Sequence, residues 1–66
     1  MSTATIHVEP DRLGSWLVLR DAVQLSEHEN ATDAERAAVV VARRLDCPSV
    51  LMHDRYLRVH ELSVRR

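Results

Sequence analysis

The chain has 66 residues, enough for one domain and near the lower limit for a self-sufficient hydrophobic core. Its only cysteine, Cys47, excludes an intrachain disulfide, and ten acids against nine arginines leave a net charge of −1. That balance lacks the strongly basic footprint of a dedicated nucleic-acid binder, and the longest apolar run, Ala37 to Ala42, falls far short of the roughly 20 residues that cross a bilayer.

Thr5-Ile6-His7-Val8-Glu9 alternates polar and apolar residues, which predicts a first strand with Ile6 and Val8 on one face. Pro10 ends it, because proline cannot donate to a ladder. Asp11 to Gly14 follow as a turn, with the only glycine at the position that needs a positive φ. Ser15 to Arg20 predict a second strand, with Trp16 and Val18 on one face and Leu17 and Leu19 on the other. Apolar residues on both faces imply a central strand or a second buried surface. After Asp21-Ala22, Val23 to Ser26 predict a third, weaker strand, and links this short imply an antiparallel meander.

Thr32-Asp33-Ala34-Glu35 fits a capping box and predicts a helix from about Asp33 to Asp46. Ala34, Ala38, Val41 and Leu45 share its inner stripe, flanked by Ala37 and Ala42. Val39 and Val40 fall outside the stripe and form a candidate contact patch. Cys47-Pro48 breaks the helix, since proline pushes the residue before it out of helical geometry. Ser49 to His53 predict a fourth strand, His53 to Arg55 a tight link, Tyr56 to Leu62 a fifth strand, and Ser63 to Arg66 a frayed tail.

The expected architecture is a single domain over residues 1–66, with an ordered core of about 5–62. Its order is β-β-β-α-β-β. This is an α+β two-layer fold, an antiparallel or mixed sheet with one helix packed on one face. The other sheet face, with Leu17, Leu19 and Leu51 on it, is left to be solvated, covered by a partner, or paired with itself. Met1 to His7 combine no basic start with an apolar run, so no secretory signal is expected there. With a lone thiol, a cytoplasmic location is expected.

Several residues in order resemble a family. They are His7-Val8-Glu9-Pro10; Gly14 with Trp16 and Val18; Ser26-x-His28; Thr32-x-Ala34-Glu35-x-Ala37 with Ala42-Arg43; and Val50-Leu51-x-His53 with Arg55. The pattern is similar to the small bacterial proteins grouped as domain of unknown function 2188, over roughly Ile6 to Leu62. That family carries a glycine in its last hairpin, where this chain reads Asp54-Arg55-Tyr56. It has no established activity. The resemblance therefore implies the fold and transfers no catalytic or binding residue.

The chemistry-bearing residues give weak signals. His7, His53 and His60 lie on predicted strands where they could converge, but no helical histidine spacing and no second cysteine mark a metal site, and none is assigned. Cys47 at a helix C-terminus sits where the dipole disfavours a thiolate, so no nucleophile is assigned either. Glu27 to Asn30 lack the glycine and oxygen spacing of a calcium loop. No cofactor is implied. The arginines are the strongest candidates. Residues 1–35 hold seven acids and two arginines, and residues 36–66 hold seven arginines and three acids, so the halves carry −5 and +4. Arg36, Arg43 and Arg44 on the helix, with Arg55 and Arg58 in the last hairpin, are candidate anion or nucleic-acid contacts. Leu17, Leu19, Val39 and Val40 are candidate self-association residues. The expected function is a non-enzymatic interaction module, self-associating as a homodimer or homo-oligomer. The alternative is a nucleic-acid-binding accessory or regulatory protein using the arginines.

Overall fold

A five-stranded sheet with one helix across one face accounts for residues 5–56 and 58–64, the residues that the computed structural model describes. Strands β1 (Ile6–Pro10), β2 (Trp16–Arg20) and β3 (Val23–His28) precede helix α1 (Ala31–Arg44), and β4 (Ser49–His53) and β5 (Val59–Ser63) follow it. The order across the sheet is β3-β2-β1-β4-β5. Neighbours run antiparallel except β1 and β4, which run parallel. A parallel pair needs a crossover, and α1 supplies it. The sheet is therefore mixed, within the expected α+β two-layer architecture. No helix among the described residues is long and apolar enough to cross a membrane.

The helix covers the face that carries Ile6, Val8, Val18 and Val50, and these four are the largest fully buried side chains among the described residues. They face Ala34, Ala38 and Ala42, all fully buried, with Cys47 and Val64 closing one end of the cluster. Alanine every fourth residue keeps the helix surface flat, so it can lie close to the pleated sheet. Trp16, Met52 and Leu62 pack at the margin.

The helix begins earlier than the threonine-based capping box predicts. Asn30 is the N-cap: its side-chain oxygen accepts from the Asp33 N–H at 2.8 Å, and its amide nitrogen donates to the Asp33 carboxylate at 3.2 Å. An asparagine caps as well as a threonine, and it comes two residues sooner. The far end is also shorter. Leu45 is the C-cap and is 40% exposed, so it does not join the inner stripe. Val39 moves the other way. It is half-buried against the core, because a flat alanine face lets the residues beside it reach the sheet. Val40 alone of that pair stays exposed. The end of the chain is corrected too. Ser63 ends β5, and Val64 is buried, its N–H donating to the Pro48 carbonyl at 3.0 Å. β5 starts at Val59 rather than Tyr56, and Leu57, assigned to that strand from the sequence, lies outside the described residues.

The chain leaves α1 through a left-handed residue, Asp46, with φ 58°. The Cys47 N–H donates to the Ala42 carbonyl at 2.7 Å and the Asp46 N–H to the Arg43 carbonyl at 3.3 Å, the paired bonds of a Schellman motif. Glycine is the usual occupant of that position, and a carboxylate there also faces the negative end of the helix dipole. Asp46→Gly is therefore expected to stabilise the fold by about 1 kcal/mol, raising the thermal midpoint by about 4–8 °C. A thermal melt followed by circular dichroism checks it.

The β4–β5 link is organised by Asp54. Its Oδ1 accepts from the Tyr56 N–H at 2.8 Å and the Arg58 N–H at 2.9 Å, and its Oδ2 accepts from Arg58 Nε at 3.0 Å. The Arg58 backbone bond, followed by the Tyr56 bond and the Arg58 side chain, holds the Asp54 carboxyl below its ordinary range despite opposing desolvation. A depressed carboxylate stabilises the folded state fully above its unfolded pKa, and the effect is lost as pH falls through the folded value. Acidification below about pH 4 is therefore expected to loosen the hairpin. Asp54→Asn should reproduce that loosening at neutral pH, seen as faster amide exchange at Tyr56 and Arg58.

Candidate functional site

The sheet face opposite α1 has no element packed on it among the described residues. Its composition follows from the register, because residues paired across strands point to the same side. His7 on β1 pairs Leu19 on β2 and Leu51 on β4, and Leu51 pairs Glu61 on β5. One turn of the pleat further, Glu9 pairs Leu17, which pairs Glu27 on β3, while His53 on β4 pairs Val59 on β5. Leucines thus occupy the inner strands β2 and β4, and two glutamates, Glu27 and Glu61, occupy the outer strands β3 and β5. The described strands place no arginine on this face.

At its centre His7, Glu9 and His53 form a cluster. Their ligand atoms lie within 4.8 Å of one another, and each residue is half-buried. Nδ1 of His7 is 2.9 Å from Nε2 of His53, so one ring donates and the other accepts in the neutral pair. The ring centroids are 5.2 Å apart at a 36° tilt. Nε2 of His53 is also 3.9 Å from the Glu9 carboxylate. Alternation places His7 and Glu9 on one face of β1, and the parallel pairing of β1 with β4 brings His53 beside them. A shallow cavity of about 280 Å³ opens next to the cluster, lined by Glu9, Pro10, His53 and Asp54.

The other histidines stay apart. His60 pairs Met52 and so points to the helix side of the sheet, with Nε2 3.7 Å from the Asp54 carboxylate. His28 pairs Trp16 on that same side and contacts the Ser26 hydroxyl at 2.9 Å. Of the three strand histidines that could have converged, two do. Cys47 is buried at the helix side, its Sγ donating to the Leu45 carbonyl at 3.9 Å.

The candidate anion contacts divide between the two ends of the sheet. Arg43 and Arg44 lie in the last turn of α1, at the end where β4 begins. Arg55 and Arg58 lie in the β4–β5 link at the opposite end, and Arg36 lies near the start of the helix. The hairpin pair also has local work. Arg55 stacks over Trp16, its Cζ 5.4 Å from the ring centroid, and its guanidinium meets the Gly14 carbonyl at 3.5 Å. Arg58 binds Asp54 and lies 5.6 Å over the Tyr56 ring. Leu17 and Leu19 share the open face, whereas Val39 is turned into the core and Val40 is exposed on the helix. No protein-family model, no curated protein and no solved structure matches this chain.

Proposed function

We propose that this chain is a small non-enzymatic interaction module that self-associates through the open face of its sheet. The observation that carries this reading is the one-sided helix cover, which leaves Leu17, Leu19, Leu51 and Val59 together on the uncovered side. Leucines on β2 and β4 flank the central His7, Glu9 and His53 cluster, and Glu27 and Glu61 lie on the edge strands, a mix of apolar and charged groups of the kind that interfaces carry. A second copy is the favoured occupant because the leucine strip is complementary to itself about a two-fold axis. Two sheets packed face to face would stand about 10 Å apart, giving a four-layer α-β-β-α assembly. It would also enlarge a core that has, among the described residues, four fully buried large side chains. A reducing, cytoplasmic setting suits the single buried thiol, and kinship with the family named above remains part of the proposal, resting on the order of its motifs. The divided arginines make one continuous contact with nucleic acid the weaker reading.

Amide spectra recorded over a dilution series test it. Shifts confined to β1, β2, β4 and β5 residues of the open face are expected as the chain is diluted. Spectra that do not change with concentration and have the line widths of one chain would remove self-association. Changes confined to α1 would move the contact to Val40 instead.

A further inference from the structure

We propose that His7, Glu9 and His53 bind one divalent transition-metal ion of the zinc class. Zinc bonds of about 2.0–2.1 Å in tetrahedral geometry hold donor atoms about 3.3 Å apart. The His7–His53 separation of 2.9 Å and the His53–Glu9 separation of 3.9 Å fall on either side of that value. All three ligand atoms lie within 4.8 Å of one another, so side-chain rotations bring the donors to bonding positions. The backbone need not move, since all three residues stand on the central parallel pair β1 and β4. Two imidazoles and one carboxylate are the donor set that selects zinc, cobalt, nickel or copper over magnesium and calcium, which prefer oxygen alone. On binding, the ring that donated the hydrogen bond carries its proton on its other nitrogen instead, so that both facing nitrogens turn a lone pair to the metal and each ring stays neutral. Leu19 and Leu51 flank His7 and keep the site's surroundings apolar, which strengthens its electrostatics. The cavity beside Glu9 and His53 gives room for water as the fourth ligand. All three protein ligands come from one chain, so the site does not rest on self-association.

The test uses the full chain without a histidine tag. Zinc is titrated calorimetrically, and cobalt is added as a spectroscopic probe. One ion per chain is expected, with the intense visible bands of four-coordinate cobalt. His7→Gln and His53→Gln should each weaken zinc binding by about tenfold or more, and Glu9→Gln should weaken it as well. His28→Gln and His60→Gln should leave it unchanged, and magnesium should give no binding. Far-ultraviolet circular dichroism confirms that each variant is folded. Absence of zinc binding by the wild-type chain would overturn the site and leave the histidines as a hydrogen-bonded pair. A His60→Gln loss equal to that of His53→Gln would overturn it too. Mass measured in parallel, with and without chelator, separates the two proposals. A monomer that binds one ion supports the site and contradicts self-association, whereas a dimer that binds none does the reverse.

Discussion

Replacing Ile6 by alanine is expected to cost about 2–5 kcal/mol, through lost burial and the cavity left behind. Few domains of this size can bear that, since a single core at this length rarely supplies more than about 3–5 kcal/mol. Ile6 is fully buried on a central strand and is one of four large side chains so placed among the described residues. It packs under a helix that offers alanine at each facing turn, so the helix side chains are too short to fill the gap. Trp16 reports the outcome directly. It is the only tryptophan, it packs at the core margin, and Arg55 covers its ring. Urea unfolding followed by its fluorescence should show the variant largely unfolded in water at 25 °C. A loss below about 1 kcal/mol would mean that the core under α1 is not the main source of stability.

The second large effect concerns the opposite face. Leu17→Glu combined with Leu19→Glu is expected to leave the domain folded and to weaken self-association by about a hundredfold or more. Both leucines are half-buried in the single chain, and both point away from α1. Two carboxylates there stay solvated in the monomer. In a face-to-face dimer they would be buried without partners, beside Glu9 and Glu27, at a cost of several kcal/mol. Each 1.4 kcal/mol is about tenfold in the dissociation constant. The opposite pattern, unfolding with no change in association, would place these leucines in the monomer's own stability. If the dimer forms, thermal stability must also rise with protein concentration, because association stabilises the folded state by mass action.

Local alternation made most of the sheet legible. Ile6 with Val8, and Trp16 with Val18 against Leu17 with Leu19, separate by parity alone, and the strands carry those parities. The bounds of β4 follow from Pro48 on one side and the Asp54 turn on the other. What local pattern could not give was the partner of each strand. The parallel pairing of β1 with β4 is made across the whole helix, and it alone brings His53 to His7 and Glu9. The i, i+2 spacing of His7 and Glu9 on one strand was the available signal, and it names two ligands without the third. His60 was lost to parity. The Asp54-organised hairpin sets which face each residue of β5 takes, and a one-residue change of register would have put His60 on the other side. The helix start was missed for a simpler reason, because two adjacent polar segments, Asn30 to Asp33 and Thr32 to Glu35, offer competing caps. Val64 was missed because one apolar residue in a basic tail shows no periodicity, while its burial depends on the Pro48 carbonyl from the start of β4.

We propose that a second copy of this chain covers the open sheet face, and the mass of the wild-type chain in solution decides it. Sedimentation equilibrium at several concentrations up to high micromolar should give twice the 7.5 kDa of one chain, returning to the single-chain mass on dilution and in the Leu17→Glu, Leu19→Glu variant. A mass of 7.5 kDa at every concentration would contradict it and leave the leucine face for a different protein to cover.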